Sequence, residues 1–265
     1  MALEEEKVFL VNTEGKKLCG LFHEPKKSNG TCVILCHGIT SNKDECGVFI
    51  DVANELAERG FSTFRFDFTA HGESEGESKE VTLYTFVRDI ESVVHFLKEE
   101  KHATSLATLS ASFAGAPTLL YAGENPDLFQ AIVLWNPRLD FETLFHPITE
   151  MGKKNWGQQV IDNASKTGFH EIQGDEGSFF ISQKFVEDMQ KYTPWQMLDR
   201  IASPVLIVHG DADTFVPYSD SVKYSKMFDL PLVTISGGEH GFIDNYTHEL
   251  QATHATIDFF QKYLV

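Results

Sequence analysis

Short apolar runs alternate along this chain with longer stretches in which apolar residues recur every three or four positions. Thr31–Cys36 (TCVILC) is almost continuously apolar, the pattern of a strand covered on both faces. Positions 131–135 and 205–208 read the same way; 61–67, 106–109 and Leu232–Ile235 are predicted as further strands. An opening pair of strands is expected at 8–11 and 18–23, turned around Glu14-Gly15. Between 81 and 100, apolar residues at 83, 86, 87, 90, 93, 94 and 97 form one helical stripe. Helices are also predicted over 48–59, 113–122 and 247–263. Strands alternating with helices predict an α/β fold, a mostly parallel sheet with helices on both faces.

The alternation breaks between Pro137 and Trp195, in a stretch richer in polar residues and glycine that nonetheless carries Trp156, Phe169, Phe179 and Phe180. It is too long for a plain connection, so an insertion spanning 137–197 is expected to fold over one end of the sheet as a cap. The plainer alternative is an extra helical pair with no substrate role. The whole chain, 1–265, is long enough for one sizeable core and is expected to be a single α/β domain.

Charge narrows the range of partners. With 39 acidic against 22 basic side chains the formal charge is −17, which repels phosphate backbones and anionic membranes. No nucleic acid and no membrane are therefore expected. The first residues, Met1 to Lys7, lack the basic and apolar regions of a signal peptide, and no apolar stretch approaches a membrane span. Cys19, Cys32, Cys36 and Cys46 match neither a zinc knuckle nor a CxxC redox pair, and Cys32 and Cys36 lie on an apparent buried strand. They read as reduced core thiols, which points to a cytoplasmic compartment. The eleven histidines show no HExxH pairing, and neither a calcium loop nor a phosphate-binding glycine motif is present, so no metal is expected.

The chemistry centres on Ser110-Ala111-Ser112-Phe113-Ala114, between a predicted strand and a predicted helix. A nucleophile at such a turn sits in a strained backbone conformation, and the positions two before and two after it must be small. Ser110 and Ala114 meet that requirement for Ser112. Ser110 is a rival nucleophile, but it would place β-branched Thr108 two residues upstream. With Ser112 at the turn, the Phe113 N–H lies at a helix N-terminus, where a developing oxyanion is stabilised. Asp213 follows the strand ending in His209-Gly210, and His240 lies in the glycine-rich Ser236-Gly237-Gly238-Glu239-His240-Gly241 after the next strand. A carboxylate and an imidazole so placed can reach a serine at the same sheet edge. After Thr31–Cys36, Gly38 permits a sharp turn that leaves the Ile39 N–H available as a second oxyanion donor, with His37 a structural hydrogen-bonder. Singly, each residue has an ordinary explanation as a cap or loop polar group. Pro117, early in the helix after Ser112, is a candidate kink.

His37-Gly38, Asp67-x-x-x-His71-Gly72-x-Ser74, the Ser112 turn, His209-Gly210-x-x-Asp213-x-x-Val216-Pro217 and Gly238-x-His240 together resemble the α/β-hydrolase superfamily. More narrowly, they are similar to its serine-hydrolase branch of cinnamoyl (feruloyl) esterases and related small carboxylesterases, over nearly the whole chain. The resemblance implies an α/β-hydrolase fold with an eight-stranded sheet and an inserted cap. It also implies ester hydrolysis by Ser112, His240 and Asp213 with no metal or organic cofactor. The family pattern has glycine where Ser110 and Ala114 stand, and the Ser-x-Ser turn is similar to that of bacterial acyl-transferase thioesterases. An acyl thioesterase or transferase therefore stays open, as do amide cleavage and a non-catalytic binding protein. The expected partner is a small-molecule ester with an apolar or aromatic acyl group and, at most, a second copy of the chain in a homodimer.

Overall fold

The computed structural model describes residues 5–174 and 177–264. The first four residues of the N-terminal stretch, two positions of the expected 137–197 insertion and the last residue of 1–265 lie outside the described residues.

Eight strands form one sheet in the order β1-β2-β4-β3-β5-β6-β9-β10. β1 (Glu5–Val11) and β2 (Lys17–His23) make an antiparallel hairpin, and β2 pairs antiparallel with β4 (Ser62–Phe66). From β4 onward, β3 (Thr31–Cys36), β5 (Ser105–Ala111), β6 (Phe129–Trp135), β9 (Val205–Gly210) and β10 (Leu232–Ile235) pair only in parallel. This is the α/β-hydrolase architecture, an α/β fold with a mostly parallel eight-stranded sheet.

Alternation along the buried strands divides the core. Cys32, Ile34, Phe64, Phe66 and Ile132 face α2 (Leu83–Glu99) and α3 (Gly115–Glu124). Val33, Leu35, Leu109, Val133 and Trp135 face α1 (Val48–Glu58) and α9 (Tyr246–Leu264). A side-chain period of two makes one strand serve both layers, which is why these strands read as continuous apolar runs. Cys19, Cys32 and Cys36 are buried and free, whereas Cys46 is exposed and so departs from the core reading. Burial pushes the Cys36 thiol up to about 12, which leaves it protonated and inert.

The topology also sets where a site can form. β4 lies on one side of β3 and β5 on the other, so the chain leaves β3 and β5 in opposite directions. The connections part there and open a crevice at the carboxyl ends of the strands. Register aligns those ends, with Cys36 opposite Ser110 and Ala111 opposite Trp135.

Between β6 and β9 the chain forms α4 (Glu142–Phe145), α5 (Glu150–Asn155), α6 (Gln158–Thr167), strands β7 (Phe169–Gly174) and β8 (Gly177–Ser182), and α7 (Gln183–Lys191). β7 and β8 pair antiparallel as a separate sheet, so the stretch is more than a helical pair. Its inner side continues the α2–α3 core: the Phe185 ring lies 5.5 Å from Phe113 and 6.0 Å from Phe86. The Phe179 ring lies 4.8 Å from His71, and the Met151 N–H donates to the Thr214 carbonyl at 3.2 Å. Among the described residues no helix is long and apolar enough to cross a membrane.

Candidate active site

β5 runs two residues further than the apolar pattern indicated, through Ser110 and Ala111, and delivers Ser112 to its end. Ser112 has φ +52°, in the left-handed region that L-residues other than Asn and Asp seldom occupy. A 3₁₀ turn, Ser112–Ala114, then leads into α3. Such a conformation costs roughly 1–3 kcal/mol and persists where the surroundings impose it. Here the Arg138 N–H holds the Ser112 carbonyl at 2.9 Å, and Ala114 is packed into the core. Pro117 is the third residue of α3, inside the first turn, where its missing N–H removes no intrahelical bond. It therefore does not break the hydrogen-bond ladder of the helix.

Ser110 points away from the crevice. It is fully buried, with its hydroxyl 2.7 Å from that of Thr118 on α3 and 3.3 Å from that of Thr108. Ser110→Ala should leave turnover unchanged and lower stability by about 1–2 kcal/mol by unpairing the Thr118 hydroxyl; urea unfolding alongside esterase assays checks both.

The other two candidate residues converge on Ser112. The Ser112 hydroxyl donates to His240 Nε2 at 2.9 Å, and His240 Nδ1–H donates to Asp213 Oδ2 at 2.7 Å. This tautomer follows because an ionised carboxylate only accepts. Asp213 is anchored further by the Phe215 and Val216 N–H groups, at 2.7 and 2.8 Å from Oδ1, and by His209 Nε2–H at 3.2 Å from Oδ2. The His209 ring is itself oriented by the Ser221 hydroxyl, 2.6 Å from Nδ1. Burial would raise the Asp213 pKa, but the His240 charge and the bonds from His209 and His240 outweigh it and hold it far below the usual carboxylate range. Burial likewise works against the His240 cation, yet the Asp213 carboxylate more than offsets it, so His240 titrates above its ordinary value. The loop bearing His240 is pinned by Phe242, fully buried with its ring 5.3 Å from Trp135.

The expected oxyanion donors lie on the flanking turns. Phe113 is the second residue of the 3₁₀ turn, and first-turn N–H groups lack intrahelical acceptors. On the β3 side, Gly38 comes so close to the nucleophile that a Cβ placed on it would sit 3.2 Å from Ser112 Cβ. The Gly38 N–H donates to Glu45 Oε2 at 2.7 Å and the Thr40 N–H to His71 Nε2 at 3.3 Å; among the described residues the intervening Ile39 N–H has no acceptor. His37 is structural: its Nδ1–H donates to the Gly38 carbonyl at 2.7 Å and its Nε2 accepts the Phe68 N–H at 3.1 Å. Burial holds its pKa well below the ordinary imidazole value, and the neighbouring His71 adds to this, so it stays neutral.

The Asp67-x-x-x-His71-Gly72-x-Ser74 motif buttresses this turn. Buried Asp67 accepts from the Lys43 N–H and Nζ and from the Glu73 N–H at 2.7–2.9 Å, and Ser74 Oγ donates to the Asp67 carbonyl at 2.6 Å. Gly72 is required there, since a Cβ would lie 2.4 Å from the Asp67 carboxylate carbon. Asp67, Glu73 and Cys19 approach closely enough to share a cation, and the Lys43 ammonium already bridges the two carboxylates.

Three contributors had no role assigned from the sequence, although His209 belongs to the motif leading to Asp213. Glu45 reaches Gly38 from the turn before α1, and His209 supports Asp213. Buried Arg138 donates to the Phe215 carbonyl at 3.2 Å, and the Phe215 ring lies 5.2 Å from His240. Arg138 stands three residues past the end of β6, in Trp135-Asn136-Pro137-Arg138. The aromatic residues of the insertion are mostly its own core or surface pairs. Phe179 is buried, and Phe169 and Phe180 pack edge-to-face at 5.1 Å with the Lys79 ammonium over both rings. Trp195 instead borders a cavity of about 350 Å³ with Phe141, Phe145 and Met189; the Phe141 ring is 5.8 Å from Phe113.

A strained serine after β5, an imidazole on a loop after β10 and a carboxylate after β9 form one hydrogen-bonded line at the crevice of an α/β-hydrolase sheet. The chain belongs to the serine aminopeptidase S33 family of hydrolases, whose model matches residues 27–175. It is 30% identical over 129 residues to the monoglyceride lipase of Mus musculus, a match covering 48% of this chain and 42% of that protein, so less than half of that relative is spanned. With the uncharacterized protein YqkD of Bacillus subtilis it shares 23% identity across 90% of this chain and 73% of the relative. Among solved structures, Est1E from Butyrivibrio proteoclasticus with ferulic acid bound superposes with a TM-score of 0.81 at 26% identity, covering 97% of this chain and 99% of that one. An esterase of Pyrococcus furiosus, Pf2001, shares the fold at a TM-score of 0.71 and 16% identity over 99% of this chain and 94% of that one.

Proposed function

We propose that this protein cleaves carboxylic esters of small molecules through an acyl-enzyme on Ser112. The observation that carries this reading is the continuous line Ser112 Oγ–His240 Nε2–Asp213 Oδ2, with steps of 2.9 and 2.7 Å, beginning at a residue strained to φ +52°. His240 takes the Ser112 proton as Oγ attacks the ester carbonyl, while Asp213 holds the ring and stabilises the imidazolium. The Ile39 and Phe113 N–H groups receive the oxyanion. His240 then protonates the departing alcohol, and water deprotonated by His240 releases the acid. No step calls for a metal or organic cofactor.

The insertion at 137–197 serves as the lid of this site within a single domain of residues 1–265, since its residues pack on the turns that carry Ile39, Asp213 and His71. An apolar or aromatic acyl group is the proposed preference, supported by the likeness to Est1E with ferulic acid bound. Likeness to Est1E with ferulic acid bound, and to monoglyceride lipase, supports ester chemistry. Three buried free thiols agree with a cytoplasmic setting.

A fluorophosphonate probe followed by peptide mass analysis tests the nucleophile, and p-nitrophenyl esters set against acyl thioesters of equal chain length test the leaving group. The expected result is modification at Ser112 and faster turnover of the oxygen esters. Faster thioester turnover would reassign the leaving group to a thiol; no labelling of the folded protein would remove the hydrolase reading altogether.

A further inference from the structure

Residues 45–47 contain three consecutive left-handed conformations, Glu45 at φ +44°, Cys46 at +56° and Gly47 at +97°. Two of the three are L-residues with a Cβ, for which this region costs free energy. The turn is clamped from several directions. The Lys43 N–H and ammonium both bond the buried Asp67 carboxylate, at 2.7 and 2.9 Å. The Asp44 side chain pairs with buried Arg65, its carbonyl takes the Gly47 and Phe49 N–H groups at 2.8 and 3.1 Å, and the Glu45 N–H donates to the Asn42 carbonyl at 2.9 Å. Strain held in place so thoroughly beside a reactive centre points to something it delivers.

What it delivers is the Glu45 carboxylate. Oε2 accepts the Gly38 N–H at 2.7 Å. Oε1 lies 3.5 Å from the point a Gly38 Cβ would occupy, and that point is 3.7 Å from Ser112 Oγ. We infer that Glu45 is a positioning residue that fixes the peptide plane preceding the one that carries the Ile39 oxyanion donor, an inference resting on the serine-hydrolase reading above.

The reason is the geometry of a planar trans peptide, in which C=O and N–H point in opposite directions. The Gly38 carbonyl and the Ile39 N–H belong to one such plane. His37 Nδ1–H holds that carbonyl at 2.7 Å, with the Ser41 N–H at 3.3 Å, so the Ile39 N–H is turned to the opposite side. The joint between this plane and the preceding one is Gly38, the residue with the widest torsional freedom. Glu45 holds the plane before the joint and His37 the plane after it. Without Glu45 the first plane is released, the Gly38 torsions are no longer fixed from both sides, and the second plane with its Ile39 donor is free to shift relative to Ser112. The hydrogen bond carries this role and the negative charge does not, since a carboxylate beside a developing oxyanion opposes it electrostatically.

The test compares Glu45→Gln, Glu45→Ala and Glu45→Gly with the unaltered chain on a p-nitrophenyl ester. Glu45→Gln keeps an acceptor and should hold kcat within about threefold. Glu45→Ala should lower kcat about 10- to 100-fold with KM little changed, because the interaction is made to the transition state. Glu45→Gly relieves the left-handed strain, so it remains informative if the alanine variant folds poorly, and it should lose kcat similarly. Charged groups bearing on His240 are Asp213, Glu45 and Arg138; all three Glu45 variants remove one anion and should move the acid limb of kcat/KM to lower pH, glutamine included. A glutamine variant as impaired as alanine, or an alanine variant with full kcat, would overturn the inference alone. An unaltered chain that neither turns over esters nor labels at Ser112 would instead overturn the underlying reading and this inference with it.

Discussion

Ser112→Ala should lower kcat on a p-nitrophenyl ester by about 10⁴- to 10⁶-fold while substrate binding changes little. The substitution removes only the oxygen that His240 engages at 2.9 Å. Alanine keeps the Cβ against which Gly38 packs, and it tolerates φ +52° no worse than serine does. Fold and stability should therefore be nearly those of the unaltered chain, so lost turnover would report chemistry and not unfolding. Steady-state kinetics with circular dichroism of the same samples makes the comparison, and an alanine variant with near-normal turnover would discard Ser112 as nucleophile.

Asp213→Asn is expected to cost about 10⁴-fold in kcat, because an amide can stabilise the wrong imidazole tautomer and cannot stabilise the imidazolium. It should also move the pH profile in a defined direction. His240 works as a base only when neutral, so activity falls as pH drops through its pKa. Burial lowers that pKa, but the Asp213 charge and hydrogen bond carry it above the ordinary 6.5, placing the acid limb of the unaltered protein above that value. With asparagine the main raising influence is gone and burial remains, so the limb moves to lower pH. Stability follows the same linkage with opposite windows for the two partners. The depressed Asp213 contributes stability present above the ordinary carboxyl range and lost as pH falls through its folded pKa. The raised His240 contributes stability present below 6.5 and lost as pH rises through its folded pKa. A kcat/KM profile of the two proteins, with histidine NMR titration, would expose an unmoved acid limb and so refute the coupling.

Much of the architecture was legible because its signals are local. Thr31–Cys36 and Leu232–Ile235 have the predicted bounds, and the stripe from 83 to 97 lies within α2. Where the signal weakens, so does the reading. β5 continues through Ser110 and Ala111 because neighbouring strands cover it, although neither residue favours a strand. β7 and β8 were missed because Phe169–Gly174 (FHEIQG) buries only His170 and Ile172, an alternation hidden by a histidine facing inward. Cys46 is an exposed member of a strained turn, which composition cannot distinguish from a core thiol.

The candidate site divides the same way. Ser112, Asp213 and His240 could be nominated in sequence because each stands just past a predicted strand, among small residues that permit a turn. Ile39 and Phe113 were nominated from the turn chemistry beside them. His209 stood in the motif without a role, and Glu45 and Arg138 could not be nominated, since what matters about them is contact between separate loops at the sheet edge. By itself the sequence determined the alternation of strands and helices, the small residues around Ser112 and the excess of negative charge. These depend on neighbours a few positions apart, where period and side-chain size act directly. Only the tertiary structure decided that residues 128 positions apart meet at 2.9 Å, which peptide planes are clamped and which carboxylate bears on His240. Those outcomes depend on strand order and register, which are set by burial of both sheet faces together.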